Sequence, residues 1–174
     1  QDYTKVTYDA EYTWVNNNRF MFCISKLENH QESKSIFSDY DDYWYISFFK
    51  KNKLIKSLEN AVFEDVKKRM LDGEVIFHKS NIDLSKLKIK SHSQDILYKN
   101  RSLYLDNKNL DSKKAELIGL FQGIKYLKPY TFKKEFEFRI IFDFYENEEL
   151  LIPIVKSLII KENISQLIKQ SESN

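Results

Sequence analysis

The chain has 174 residues and a mass of 20.9 kDa, with 42% hydrophobic and 31% charged residues. That balance excludes a disordered chain, and the length predicts one domain with room for a sizeable core. A net charge of +2, with Lys and Arg spread along the whole chain, excludes a global electrostatic case for nucleic acid.

Residues 1–18, with the Asn16-Asn17-Asn18 run, predict an irregular N-terminal segment. Residues 19–25 (Arg-Phe-Met-Phe-Cys-Ile-Ser) predict a central strand, and 26–34 a polar connection. A short helix or turn is expected at 35–43, then an aromatic strand at 43–49. Apolar residues at 54, 55, 58, 62, 63, 66 and 70 have helical spacing, predicting a helix over 54–71 that stops at Gly73. Residues 74–78 predict a short strand, and 79–110 loops with at most a short helix.

Asp111 or Ser112 is the expected cap of a second helix, 112–127, ended by Pro129. The most strongly patterned stretch follows, a strand at 134–145. A turn at 147–149, a strand at 155–160, a closing helix from 164 and a frayed tail at 171–174 complete the chain. The expected fold is α+β: a single domain, 1–174, with a mixed, mainly antiparallel sheet and two or three packed helices.

Several chemistries lack their residues. Three glycines give no phosphate-binding loop, and no Gly-x-Ser-x-Gly elbow anchors a hydrolase triad. His30, His78 and His92 stand apart, and the cluster Asp39, Asp41, Asp42 lacks the ligand order of a calcium loop, so no metal site is predicted. The lone Cys23 excludes an internal disulfide and fits a reducing cytosol; between Phe22 and Ile24 it reads as a small buried hydrophobe. With no signal peptide and no membrane-length apolar run, the protein is expected to be cytoplasmic. The chain opens at Gln1 without an initiator Met, so upstream residues, and a strand with them, are expected to be missing. Lys50, Lys51, Lys53 and Lys56 predict a solvated helix face.

What remains is the alternation in the late strand. Glu135, Glu137 and Arg139 share one face, while Phe136, Phe138 and Ile140 share the other. The apolar face belongs on the core and the charged face toward water or a polar site. The two carboxylates lie roughly 7 Å apart along the strand by its rise per residue. On spacing alone this is a solvated face whose ion pairs contribute under ~1 kcal/mol each.

These residues carry a resemblance to a widespread bacterial and phage domain family of unknown function. Its strand motif corresponds to Cys23-Ile24-Ser25, and its Trp-x-x-Tyr element to Phe37-Ser38-Asp39-Tyr40. An aromatic strand corresponds to 43–48. Its late Lys-x-x-x-Trp-x-x-Glu-x-Glu-aromatic-Arg motif reads here as Lys128, Phe132, Glu135, Glu137, Phe138 and Arg139. The resemblance covers roughly 19–170; the family's opening segment has no counterpart, and Lys161 replaces its usual closing Gly.

The layout is similar to ADP-ribosyltransferase-like folds. That similarity implies NAD as cofactor, Glu137 on the nicotinamide ribose and the oxocarbenium charge, Glu135 orienting the acceptor, and Ser25 on an inner strand. Arg19 is the only arginine upstream to serve such a site. A non-catalytic alternative, a domain of phage–host conflict, senses a protein or nucleotide partner through the aromatic surface from Tyr40 to Tyr45, Trp44 included. There the Lys128/Arg139 pair takes an anion. A third reading is a metal nuclease built on the acidic cluster with Glu135 and Glu137, although Arg139 stands where such sites carry Lys. Whether Ser25, Tyr40 and Glu137 converge in one cleft separates a ligand site or enzyme from a solvated strand face.

Overall fold

The computed structural model describes residues 18–40, 42–99, 110–160 and 164–170. The irregular segment expected before residue 18, Asp41 and the frayed tail at 171–174 lie outside the described residues. The fold is α+β, ordered around one long antiparallel strand.

The chain enters β1 (Phe20–Ser25), makes a short α1 (Ser33–Ile36), a two-residue β2 (Trp44–Tyr45) and then α2 (Lys51–Leu71). Next come β3 (Leu87–Asp95), β4 (Leu97–Tyr98), α3 (Leu110–Gly123) and β5 (Leu127–Lys128). The chain closes with β6 (Glu137–Glu146), β7 (Glu149–Leu151) and β8 (Lys169–Gln170). β6 lies between β1 and β3 and also pairs with β7, all antiparallel. Two small pairings, β2 with β8 and β4 with β5, stand apart from this sheet.

The period of two decides what β6 buries. Phe138, Ile140, Phe142 and Phe144 point to one side, where they meet Leu54, Leu58, Val62 and Val66 of α2. Those four helix positions recur every four residues, close to one helical turn, so one stripe of α2 covers one face of the sheet. Phe20 of β1 joins them, edge-on to Phe144 at 5.9 Å. α2 ends as Gly73 predicts: at φ +88° it lets Gly73 N–H donate to the Met70 carbonyl and Glu74 N–H to the Arg69 carbonyl. That is a Schellman cap.

The opposite face of β6 is not solvated along its length. Ile141 packs with Ile96 and Tyr126 in a second apolar cluster. Asp143, 3% exposed, is held by Arg19. β6 is therefore covered on both sides, contrary to a strand with one wet face, and its charges are tolerated because they are paired.

Several boundaries differ from the sequence expectation. The 43–49 strand shrinks to Trp44–Tyr45, because Phe48–Lys50 turns into a 3-10 helix that starts α2. Residues 74–78 make only an isolated bridge, Phe77 to Pro153. The expected 155–160 strand is coil, since Asn18 Nδ2 takes the Pro153 and Val155 carbonyls in place of a neighbouring strand. Its apolar residues Val155, Leu158 and Ile160 still pack on the core. The closing helix is a turn leading into β8, and the second helix runs 110–123 rather than 112–127. β3, expected as loop, is a nine-residue strand.

Candidate functional site

The start of β6 is built by a change of backbone conformation. Tyr130–Glu135 is a 3-10 helix, Phe136 is left-handed at φ 45°, ψ 45°, and the strand begins at Glu137. Glu135 therefore belongs to a turn rather than to the strand. Phe136, expected on the core, is 51% exposed. A left-handed aromatic residue is uncommon and costs about 1–2 kcal/mol. Its effect here is to swing two successive glutamates onto one cation. Lys128 Nζ, from β5, donates to Glu135 Oε2 at 2.5 Å and to Glu137 Oε2 at 2.7 Å. Arg139 Nε donates to the other Glu137 oxygen at 2.5 Å, and Arg139 also donates to the Lys125 carbonyl at 2.6 Å.

β1 forms the neighbouring wall. Its register places Ser25 opposite Glu137 and Cys23 opposite Arg139. The Glu137 backbone is pinned as well, its N–H donating to the Tyr98 hydroxyl at 2.7 Å and its carbonyl accepting from Ile96 N–H at 2.9 Å. Glu137 is thus fixed in position, buried, and surrounded by donors.

These surroundings set the protonation states. Burial alone would raise the Glu137 carboxyl, but the bonds from Arg139, Lys128 and Cys23 outweigh it and hold the group below the ordinary carboxylate value. Burial disfavours the Lys128 ammonium, yet Glu135 and Glu137 lift it above the usual lysine value. Cys23 lies exposed in the cavity wall rather than buried as expected. The protein still strips much of the water from its sulfur. That desolvation, with Glu137 alongside, pushes the thiol up to about 11. Cys23 is therefore a thiol at neutral pH, not a nucleophile.

Across from this charged floor stands an aromatic wall from the segment after β1. The ring of His30 stacks on Tyr45 at 4.0 Å and 5°, and His30 Nδ1 bonds the Tyr43 hydroxyl at 2.9 Å. Trp44 stacks on Phe22 at 6.2 Å. Floor and wall enclose a cavity of about 750 Å³ lined by Ser25, Tyr40, Trp44, Lys128, Glu135, Glu137 and Arg139 among others. All seven residues singled out from sequence border it. Tyr40, 72% exposed, stands at its mouth.

Sequence reasoning placed Tyr43 and Tyr45 in an aromatic surface but missed His30 as part of the wall. A histidine in a polar connection carries no local mark of what it will stack on. Arg19 is not among the lining residues; it reaches Asp143 instead. Of the acidic cluster, Asp39 is not among the lining residues. Asp42 lines the cavity and accepts from Gln170 Nε2 at 2.6 Å, while Asp41 lies outside the described residues. Among the described residues no group of three or more His, Cys, Asp or Glu is placed to hold a metal ion. No helix among them is long and apolar enough to cross a membrane.

The site is electrically closed within itself. Two carboxylates and two cations pair off, so the cavity offers a neutral but strongly polar floor under an apolar, aromatic wall. No protein-family model matches the chain, and neither does any curated protein or solved structure.

Proposed function

We propose that the cavity is the binding site of a small ligand of nucleoside type, and that the protein acts as a non-catalytic sensor. Such a ligand combines a planar ring with hydroxyl groups. The carrying observation is the convergence of β1, the 30–46 segment and the start of β6 on one cavity, with rings on one side and fixed hydrogen-bonding groups on the other. Its volume lies in the usual range for cofactor and metabolite sites, roughly 300–1,000 Å³. Stacking on the tyrosine and tryptophan wall would hold the planar ring, and Ser25 with the outer lone pairs of Glu135 would take hydroxyls. Lys128 and Arg139 are already claimed by carboxylates, which favours a ligand whose recognised part is uncharged over a simple anion.

The resemblance to a bacterial and phage family fits a cytoplasmic protein in phage–host conflict, with ligand arrival as its signal. The test is a thermal-shift and calorimetric screen of nucleosides, nucleotides and NAD. One class should raise the melting temperature, with the effect lost in Trp44→Ala and Ser25→Ala. No shift from any of these compounds would overturn the proposal.

An NAD-using transferase is a second reading, favoured by one observation: Ser25 sits directly across from Glu137, with Glu135 two residues before it. Its chemistry asks more of the site. Stabilising an oxocarbenium ion needs a carboxylate whose charge is available, and both Glu137 oxygens are engaged by cations. NAD would have to displace Lys128 first. Nicotinamide release by the protein, abolished in Glu137→Gln, would establish this reading over the sensor.

A further inference from the structure

The start of α2 breaks several local rules at once. Phe48 and Phe49 are adjacent, in contact, and 63% and 94% exposed. The positive end of a helix favours acidic side chains and a capping oxygen. The helical run opens with the 3-10 turn Phe48–Lys50, whose N-cap Ser47 makes no side-chain cap bond, and α2 then carries Lys51 and Lys53 in its first turn with no acidic residue there. The sequence contains no Asp or Glu from Trp44 to Leu58. The fold recovers little from this choice. Lys51 sits over the Phe48 and Phe138 rings at 5.1 Å each, and Lys50 reaches the Gln166 carbonyl only at 3.5 Å. Positions that break local preference without a return in packing are where functional or strained sites are expected.

We propose that this tip is a docking surface for an anionic lipid bilayer. The Phe48 and Phe49 rings enter the boundary between headgroups and acyl chains, while Lys50 and Lys53 meet the lipid phosphates. The two contributions are independent, and reversible peripheral binding of this kind takes both together. Charge complementarity names an anionic partner, and the two exposed apolar rings beside the lysines favour a bilayer among anionic partners. Proteins that stack single-stranded nucleic acid place their aromatics along a basic groove that follows the backbone. Here the rings are two adjacent phenylalanines, both exposed, and the lysines follow them directly in the chain.

The experiment is co-sedimentation of the purified protein with vesicles of phosphatidylcholine alone and of phosphatidylcholine mixed with phosphatidylglycerol. A fluorescein-labelled mixed-sequence DNA single strand serves as the competing probe. The protein should sediment with the mixed vesicles and remain in solution with phosphatidylcholine alone. Phe49→Ser should weaken this binding about tenfold, and Phe48→Ser with Phe49→Ser should weaken it further. Phe49 is almost wholly exposed, so the single variant should keep the parent's melting temperature and circular dichroism. Lys50→Gln with Lys53→Gln should weaken binding to the anionic vesicles several-fold and flatten its salt dependence. Absence of sedimentation, sedimentation unchanged in Phe49→Ser, or binding to the DNA strand with vesicles ignored would each overturn the proposal.

Discussion

Glu137 carries the site because its side chain satisfies two cations and accepts from a thiol at once, so its removal should be felt by each partner. Cys23 gives the sharpest readout. A thiol at about 11 should alkylate roughly a hundredfold more slowly near pH 8 than an ordinary cysteine, whose value is near 9. Glu137→Gln removes a neighbouring charge that opposes the thiolate, so iodoacetamide labelling of Cys23 followed by mass spectrometry should speed up several-fold. Stability should also follow pH in a defined way. The Glu137 contribution is present above the ordinary carboxylate value and is lost as pH falls through its lowered value. The Lys128 contribution is present below the ordinary lysine value and is lost as pH rises through its raised one. Urea midpoints should therefore be level across the neutral range and fall at both ends, with a shallower acid limb in Glu137→Gln. Lys128→Met leaves Glu135 with no cation and Glu137 with Arg139 alone, and should cost about 3 kcal/mol in the same assay. At this scale the sequence was partly legible. Alternation picked out Glu137 and Arg139, but strand spacing could not show that Lys128 would bridge both glutamates.

Among the elements, the turn before β6 matters most to the site. Phe136 must be left-handed for Glu135 and Glu137 to share Lys128. Phe136→Gly should keep stability within about 1 kcal/mol, since relief of the left-handed strain offsets glycine's greater unfolded freedom. Phe136→Val, branched at Cβ, should lower it by about 2 kcal/mol; chemical denaturation of the two variants separates these outcomes. This turn was hidden from sequence reading, because continuous alternation through Glu135 and Phe136 looks like strand. β3 was hidden for the opposite reason. Leu87-Lys88-Ile89-Lys90 alternates, but Ser91 to Asp95 contains no apolar residue to extend the pattern. That half is a strand through its pairing with β6 and through Glu59 of α2, which accepts from the Ser91 backbone N–H at 3.1 Å. The 155–160 segment shows the converse: apolar composition brings Val155 and Leu158 to the core, yet the segment makes no ladder. α2 was the most legible element because its apolar spacing and its Gly73 stop both follow from local chemistry.

At the scale of the molecule, the α+β class followed from composition and periodicity, whereas the strand order β1-β6-β3 depends on pairings far apart in the chain. Arg19 and Asp143, which sit beside the β1–β6 pairing, are 124 residues apart. Such long loops must close before their contacts contribute, so refolding should run on the millisecond-to-second scale of β-rich domains rather than in microseconds. Pulsed alkylation of Cys23 during refolding should show its protection arising in the slowest phase, when β1 docks. The same separation has a consequence on the ribosome. At roughly 5–20 residues per second, β1 leaves the synthesis machinery many seconds before β6 exists. For that interval Phe20, Phe22 and Ile24 form an unpaired apolar edge, and the nascent chain has neither a finished sheet nor a finished cavity. A chaperone that shelters the first strand should raise the yield of this protein more than one that acts on the completed chain.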